Sequence, residues 1–302
     1  MPVEGNCLPA GYLSEAACVA YDARVTRFAV CFLLVFGELA FGGMFALAIP
    51  PFARVERGFY KSSASVFLAA GALTAAGLAL LAMRSVAPVS PGPLELWILA
   101  ALWILYCVVV AIYLRTLWND NERLRARTYT LGLAAGLIAV IASIVALRPA
   151  GLGVAGIAAY AVIGVISSLV LGLVTGAMLF GHWYLIDLDM PVDYLRTFVR
   201  VLAVVLVLDI AAMVLAIGVV WLGGGTLGAH AVDTLFSADL LLLAVRIVLG
   251  PAALIALTWM CWQTLKIPQT MAATGLLYIA MMAAIVGEML GRFILFRTAI
   301  PL

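Results

Sequence analysis

The sequence predicts an all-α integral membrane protein with eight transmembrane helices. Hydrophobic residues make up 66% of the 302 residues and charged residues only 11%, whereas a soluble domain carries about 25% charged residues. So few charges cannot cover a water-exposed surface, which excludes a soluble globular protein. The net charge of +2, without a dense basic patch, excludes a nucleic-acid-binding protein, and the high hydrophobicity excludes a disordered chain.

Eight apolar stretches are long enough to cross a bilayer, since a spanning helix needs roughly 20 mostly apolar residues. They cover residues 26–50, 62–83, 94–115, 128–148, 156–182, 197–222, 236–262 and 270–296. Residues 1–25 are expected to form an external tail, and residues 26–302 a single eight-helix transmembrane domain. The stretches are continuous, whereas the strands of a transmembrane β-barrel alternate apolar and polar residues.

Each break between the stretches carries turn-forming residues or charge, which ends a spanning helix. In chain order the breaks are Pro50-Pro51, Pro88 to Pro93, Asn119 to Arg127, Arg148-Pro149, Asp187 to Asp193, Gly223 to Gly225, and Lys266-Ile267-Pro268. Pro191, Pro251 and Pro268 are expected at or near helix ends, which argues against discontinuous spans.

The basic residues predict the orientation. An even number of spans puts both termini on one side, which holds five basic residues: Arg24, Arg27, Arg84, Arg148 and Arg297. The loops on the other side hold ten: Arg54, Arg57, Lys61, Arg115, Arg123, Arg125, Arg127, Arg196, Arg200 and Lys266. The positive-inside rule therefore predicts a multi-pass protein of the bacterial inner membrane with both termini in the periplasm.

The five cysteines fall into two groups. Cys7 and Cys18 lie in the predicted external tail, where they either form a disulfide or stay unpaired. Cys31, Cys107 and Cys261 fall inside spans and are expected to be small core residues.

A short internal repeat suggests two four-helix halves in parallel orientation. Gly42-Gly43-Met44 and Gly176-Ala177-Met178 both precede a helix end, and Tyr60 and Tyr194 follow with the same offset of 134 residues. The pairs Gly132/Gly136 and Gly172/Gly176 are typical of close helix–helix contacts.

Five ionisable residues fall inside spans, where charges are costly and usually functional. They are Glu38, Asp209, Arg246, Glu288 and Arg292. Glu38, Asp209 and Arg246 lie at similar predicted depth and are expected to form a buried cluster. The alternative is a compensated set of charges that only fixes the packing of the helices.

Glu288 and Arg292 are spaced i,i+4, so they share one helix face and can pair directly. They stand between Gly287 and Gly291, a spacing of small residues that lets another helix approach. An intrahelical salt bridge at a helix contact and a role in substrate binding are both compatible with this pattern.

The end of the fifth stretch, Gly181-His182-Trp183-Tyr184, fits an aromatic belt at the membrane interface. His182 is a candidate for proton transfer or for a polar headgroup contact, because its charge changes near neutral pH. An ordinary interfacial histidine is the alternative.

The residue inventory restricts redox chemistry. His182 and His230 are the only histidines and are expected at opposite membrane faces, so they cannot ligate one haem together. The sequence contains no Cys-x-x-Cys motif, which argues against a zinc site or an iron–sulfur cluster in this chain. Any electron transfer would need metal centres on another subunit and a lipid-soluble carrier.

Eight spans, external termini, few histidines and the stretch Gly287-Glu288-x-x-Gly291-Arg292-x-x-x-Phe296 resemble a family of quinol-interacting membrane anchors. These are the NrfD, polysulfide reductase C and dimethyl sulfoxide reductase C type subunits of molybdopterin oxidoreductase complexes. The resemblance covers most of the chain in architecture, but in residues only 287–296 and, more loosely, the Glu38-bearing first helix.

The resemblance implies a haem-free anchor subunit that exchanges electrons and protons between non-covalently bound quinone and a partner iron–sulfur subunit. Molybdopterin or cytochrome subunits and lipid are further expected partners. Quinone chemistry needs proton-delivering groups; Glu38, Glu288 and Asp209 are the candidates. The candidates for quinone contact are His182, Tyr184, Arg246 and Arg292, where the two arginines would also hold the charge of the acids.

Two other functions stay open. Midplane acids and a parallel repeat also fit a proton-coupled secondary transporter, which would require broken helices at a central cavity. A non-catalytic scaffold of a respiratory or photosynthetic complex would equally explain the high apolarity and the scarcity of metal ligands.

Overall fold

The computed structural model describes residues 15–84, 92–119, 121–148, 154–187, 190–223, 225–267 and 269–301. Within these ranges ten α-helices follow one another in the order α1 Glu15–Ala46, α2 Arg57–Met83, α3 Pro93–Thr116, α4 Glu122–Ala146, α5 Val154–Trp183, α6 Asp193–Gly223, α7 Gly225–Ser237, α8 Leu240–Ile247, α9 Ala253–Lys266 and α10 Thr270–Thr298. A five-residue π turn, Val248–Ala252, joins α8 to α9.

Eight segments of the described chain are long and apolar enough to cross a membrane, which confirms the all-α, eight-span prediction. They are α1 from Arg27 onward, α2 to α6, α8 and α9 together, and α10. We call the end at which α10 finishes the terminal face, and the opposite end the loop face.

Several boundaries differ from the predicted ones; the second and fourth spans, for example, begin at Arg57 and Glu122 rather than at 62 and 128. The helix α1 begins at Glu15, inside the predicted tail. The seventh span runs over Leu240–Lys266 rather than 236–262, because the separate short helix α7 ends at Ser237 before it. Cys7, Asp189 and Pro268 lie outside the described residues, as does the side chain of Cys18.

The eight spans pack as two four-helix halves, the arrangement that the internal repeat suggested. In the first half, α1 contacts α2 and α4, and α3 packs between these two; the second half contains α5, α6, the α8–α9 span and α10. The helices α1 and α5 join the halves. The most apolar window of α1 is 72% buried, compared with 28% for both α6 and the α8–α9 span, so α1 is the central helix.

Glycines let α1 and α5 cross at backbone contact. A Cβ atom added to Gly172 would overlap the backbone of Gly42, and one added to Gly42 would overlap the carbonyl group of Ser168. One turn further, a Cβ at Gly176 would lie 2.6 Å from the Cβ of Ala46. The predicted contact role of Gly172/Gly176 is confirmed, and it follows from the absence of side chains that would keep the helices apart.

The seventh span is broken, and the expectation that Pro251 lies near a helix end is wrong. Pro251 stands between α8 and α9, in the interior of the span, and Gly250 before it has non-helical angles of φ −82° and ψ −105°. Proline lacks an N–H group and its ring clashes with the preceding turn of helix, so the regular hydrogen-bond ladder stops at this point.

Two large polar side chains in the core of the first half are neutral and hydrogen-bonded. The Trp103 Nε1 donates to Ser143 Oγ at 3.0 Å, and Tyr106 Oη donates to the carbonyl of Ala40 at 2.8 Å.

Cys31 and Cys261 are buried and Cys107 is partly buried; all three are free thiols, as expected for small core residues.

Candidate functional site

Four charged side chains from three helices form a continuous chain of ion pairs, which we call the ion network. Arg246 Nη2 donates a hydrogen bond to Glu288 Oε1 at 2.9 Å. Glu288 Oε2 lies 3.5 Å from Arg292 Nη2, and the same nitrogen lies 2.6 Å from Glu38 Oε1. The order along the network is therefore Arg246, Glu288, Arg292 and Glu38.

The ion network is shielded from the surroundings of the protein. Each of its four residues is at most 3% exposed. Since the lipid and the apolar core around it have a low dielectric constant, each charge depends on its partners in the network for stabilisation.

The predicted i,i+4 pair of Glu288 and Arg292 is confirmed, and Glu38 and Arg246 each pair with a member of it rather than with each other. Glu38 pairs with Arg292 rather than with Arg246, and Arg246 pairs with Glu288. These ion pairs depend on the packing of the helices. The helix α10 contacts both α1 and α8, so its two charged residues lie between the charges of those helices.

Asp209 is buried beside the ion network without joining it. Its Oδ1 accepts a hydrogen bond from Ser167 Oγ at 3.1 Å, and the side chain is within electrostatic range of Glu288 and Arg246. Within the described chain it makes no ion pair closer than 4 Å. The three carboxylates and two guanidinium groups sum to a charge of −1 when all are ionised, which one proton would neutralise.

The polar atoms of the ion network are incompletely hydrogen-bonded. Seven of them are buried without a hydrogen-bond partner among the described residues: both Glu38 oxygens, Glu288 Oε2, Arg246 Nε, and Nε, Nη1 and Nη2 of Arg292. The contacts of Arg292 with the two glutamates are thus close ion pairs that are not aligned as hydrogen bonds. Buried polar groups in native proteins are normally satisfied, so this concentration needs an explanation such as water or a functional role.

An aromatic side chain closes one side of the ion network. The ring centroid of Tyr160 in α5 lies 5.5 Å from the Arg292 guanidinium carbon. The Tyr160 hydroxyl is also buried without a hydrogen-bond partner in the described chain. The hydroxyl is within electrostatic range of Arg292 and Glu38.

A small cavity reaches Glu38 from the first half. The space open to the centre of a water molecule is about 10 Å³, which is close to the minimum for one water. Its polar lining consists of Glu38, Thr74, Trp103 and Ser143. Thr74 and Trp103 already donate hydrogen bonds within the protein, Trp103 to Ser143, so Glu38 is the charged group that this cavity reaches.

The break in the seventh span directly supports Arg246. A Cβ atom at Gly250 would overlap the Arg246 guanidinium group, and one at Gly287 would lie 2.9 Å from Arg246 Nη1 and 2.8 Å from the Cα of Gly250. The glycines of α10 and of the π turn therefore leave the space in which the guanidinium group contacts Glu288.

The side of the ion network toward the terminal face is covered by an apolar cluster, and beyond it lies a further ion pair. The buried members of the cluster are Met213, Leu235, Leu243, Ile294 and Ile300. Arg297 Nη2 lies 2.7 Å from Asp239 Oδ1, with the Arg297 side chain 48% exposed and that of Asp239 4% exposed.

His182 and Tyr184 do not join the ion network. Both residues lie at the loop-face end of α5. His182 is 15 residues beyond Ser167, which is about 22 Å along a helix. His182 is exposed, with Nδ1 3.4 Å from the hydroxyl of the exposed Tyr278. Tyr184 is buried and donates to the carbonyl of Pro191 at 2.6 Å, and burial raises the pKa of its hydroxyl well above the usual value.

His230 lies in α7 at the terminal face, so the two histidines are at opposite faces as expected. Sequence reasoning did not find the partners Tyr160, Ser167 and Tyr278, nor the Asp239–Arg297 pair. The only available signal for Ser167 was its position as a hydroxyl residue in the middle of an apolar span.

Comparisons with known proteins found no protein similar to this chain. The chain matches no family model, and it matches no curated protein and no solved structure.

Proposed function

We propose that this chain handles protons inside the membrane, as the haem-free membrane subunit of a quinone-linked redox complex. The observation that carries the proposal is the ion network with Asp209: five buried ionisable groups whose charge of −1 a single proton neutralises. Membrane proteins rarely keep such groups in hydrocarbon unless they serve a function.

The proton-handling residues in this proposal are Glu38, Glu288 and Asp209. Glu38 is the acid that faces both the ion network and the water-sized cavity. We therefore assign to Glu38 the transfer of protons between the ion network and that cavity in the first half. Arg246 and Arg292 hold the negative charge of the acids between exchanges, because each contacts at least one carboxylate.

The quinone part of the proposal rests on the resemblance of residues 287–296 to the quinol-interacting anchors. His182 and Tyr278 give it a structural candidate, since both are exposed on spanning helices near the loop face and can offer hydrogen bonds to a quinone carbonyl. Glu288 lies ten residues from Tyr278 on α10, or about 15 Å along the helix.

Electrons would come from a partner iron–sulfur subunit, which would itself receive them from a molybdopterin or cytochrome subunit. The proposed location is the bacterial inner membrane, with both termini in the periplasm. These two statements follow from the resemblance and from the distribution of basic residues.

The test uses the full chain with all polypeptides that stay bound after mild detergent extraction, reconstituted into liposomes. Electron transfer from reduced methyl viologen to decylubiquinone would be measured together with the pH inside the vesicles. We expect quinone reduction in the native complex, and a loss of at least about 100-fold in Glu38→Gln and Glu288→Gln, the usual scale of acid–base catalysis. The matched control is Glu122→Gln, an exposed acid at the loop face.

The compensated double variant Arg246→Gln/Glu288→Gln separates proton handling from folding. It removes one positive and one negative charge, so it leaves no unpaired charge at this contact. A folded double variant without activity supports the proposal. A folded double variant with full quinone reduction contradicts it and supports the scaffold function.

The second candidate is a proton-coupled secondary transporter, and the observation that favours it is the broken seventh span. Transporters commonly bind ions where a spanning helix is interrupted, and in this chain Gly250 and Pro251 interrupt the span next to Arg246. Proton uptake by liposomes that contain the chain alone, driven by a potassium diffusion potential, would support this candidate over the redox subunit.

A further inference from the structure

A second, larger cavity opens at the loop face of the first half, away from the ion network. Its volume is about 900 Å³, which is within the range of small-molecule sites. It lies between the end of α1, the loop to α2, the end of α3 and the start of α4. We call it the loop-face pocket and define it by Phe52, Arg57, Tyr113, Arg125 and Tyr129.

Arg125 is held in a fixed position at the wall of the loop-face pocket. Its side chain is only 11% exposed, and its guanidinium carbon lies 3.9 Å from the ring centroid of Phe52. The nitrogen Nη1 is buried without a hydrogen-bond partner in the described chain. Its ion pair with Glu122 is loose, at 3.6 Å, and the Glu122 side chain is 85% exposed, so the guanidinium group retains donors for a ligand.

Two tyrosines of the loop-face pocket use their hydroxyl groups within the protein. Tyr60 donates its hydroxyl to the carbonyl of Pro50 at 2.8 Å, and Tyr129 donates to that of Met44 at 2.7 Å. Tyr113 packs against Tyr129 with the ring centroids 5.4 Å apart. The donors around the pocket include those of the Arg125 guanidinium group.

The lining of the loop-face pocket carries two basic residues, Arg57 and Arg125, and two acidic ones, Glu56 and Glu122, whereas the loop face of the first half around it is positive overall. By sequence, the first half carries seven basic residues and three acidic ones at this face: Arg54, Arg57, Lys61, Arg115, Arg123, Arg125 and Arg127 against Glu56, Asp120 and Glu122. The second half carries three of each sign: Arg196, Arg200 and Lys266 against Asp187, Asp189 and Asp193. The net charge is +4 for the first half and zero for the second, which favours an anionic ligand at the first.

We propose that the loop-face pocket binds a phosphate group, with Arg125 as the main contact. Guanidinium groups match phosphate oxygens with paired hydrogen bonds, and basic pockets between spanning helices are typical sites for phospholipid head groups. The two sources of this chemistry are the head group of an anionic phospholipid and a soluble phosphate compound.

The lipid source is tested by native mass spectrometry of the full chain released from detergent, with dioleoyl phosphatidylglycerol as the probe and dioleoyl phosphatidylcholine as the neutral reference. We expect phosphatidylglycerol to bind more tightly, and Arg125→Gln to weaken it by about tenfold, the loss of one strong charged hydrogen bond. Arg123→Gln is the matched control, because Arg123 is exposed on the same turn of α4 and should leave binding within about twofold.

The soluble source is tested by the thermal protection that inorganic pyrophosphate gives to the same variants. Protection of the wild type and of Arg123→Gln, but not of Arg125→Gln, would support a soluble phosphate ligand in the same pocket. If Arg125→Gln does not fold, Ala126→Phe replaces it, since Ala126 is an exposed lining residue and a larger side chain there should block the site. Equal binding of both probes to the wild type and to a folded blocking variant overturns the proposal.

Discussion

Apart from Glu38, which α1 contributes to the ion network, the two halves of the bundle bury polar groups in different ways. In the first half, Trp103 and Tyr106 are neutral, and each donates a well-formed hydrogen bond to a neighbouring helix. In the second half, Arg246, Glu288 and Arg292 are charged and leave several polar atoms without a partner. Satisfied neutral groups stabilise a membrane bundle, whereas a charged and incompletely bonded group costs stability and is kept where it has a function.

The strongest test of this contrast removes one charge from the second half. Glu288→Gln leaves Arg246 without its hydrogen-bonded counter-ion, and breaking a buried pair in this way costs about 3–5 kcal/mol. The free energy of unfolding in detergent, measured by chemical denaturation, should fall by that amount.

The compensated variant Arg246→Gln/Glu288→Gln should recover most of that loss, because neither side chain is then an unpaired charge. If the single and the double variant are equally unstable, the charges are not paired as the structure describes. The contrast between the halves would then not rest on electrostatics.

The junction of the halves should be the next most sensitive position. In Gly172→Ala the new methyl group would overlap the backbone of Gly42, which cannot rotate away, so α1 and α5 must separate at a cost of about 1–3 kcal/mol. Gly218→Ala in α6 is the control, because a Cβ atom there meets nothing within 4 Å. The control should be neutral or gain up to about 1 kcal/mol in unfolding experiments, and a destabilised control would argue against steric overlap as the cause.

In the first half, the effect of losing a polar group should be smaller. Trp103→Phe removes the hydrogen bond to Ser143, which is worth about 0.5–1.5 kcal/mol. A double-mutant cycle with Ser143→Ala isolates this energy from the change in packing. Trp97→Phe, on the same helix but 43% exposed, should change stability little. A coupling energy near zero would mean that this hydrogen bond does not stabilise the half.

The smallest effect is expected at the terminal face. Arg297→Gln breaks the pair with Asp239, but the Arg297 side chain is 48% exposed, so solvent limits the loss to about 1 kcal/mol or less. Thermal unfolding of the wild type and the variant should differ less at high salt, since salt screens exposed pairs. A difference in unfolding temperature that does not change with salt would mean that this pair is shielded from solvent like the ion network.

The eight spans and the five buried ionisable residues could be predicted because both depend on local composition. An apolar run of sufficient length forms a spanning helix whatever its neighbours are. The pair of Glu288 and Arg292 was predictable for the same reason, since i,i+4 residues meet within one helix.

The partners across helices could not be predicted in this way. Glu38 meets Arg292 only because α10 packs against α1, and no spacing within one helix encodes this contact. The break at Gly250 and Pro251 was missed because Pro251 was expected near a helix end, whereas it lies inside the seventh span, where a proline interrupts the hydrogen-bond ladder. His182 and Arg246 were assigned to one site because of their chemistry. Chemistry does not fix the depth of a residue in the membrane, and the two residues lie far apart.

The depth of the ion network has an electrical consequence. Arg292 lies six residues from the end of α10, and Glu38 lies 11 residues from the start of the first span at Arg27, or about 9 and 16 Å from the terminal face. A proton that reaches Glu38 from that face crosses about half of the hydrocarbon thickness and hence about half of the membrane potential. At 100 mV this is about 1 kcal/mol, or about a fivefold change in proton occupancy. Such a site senses voltage as well as pH.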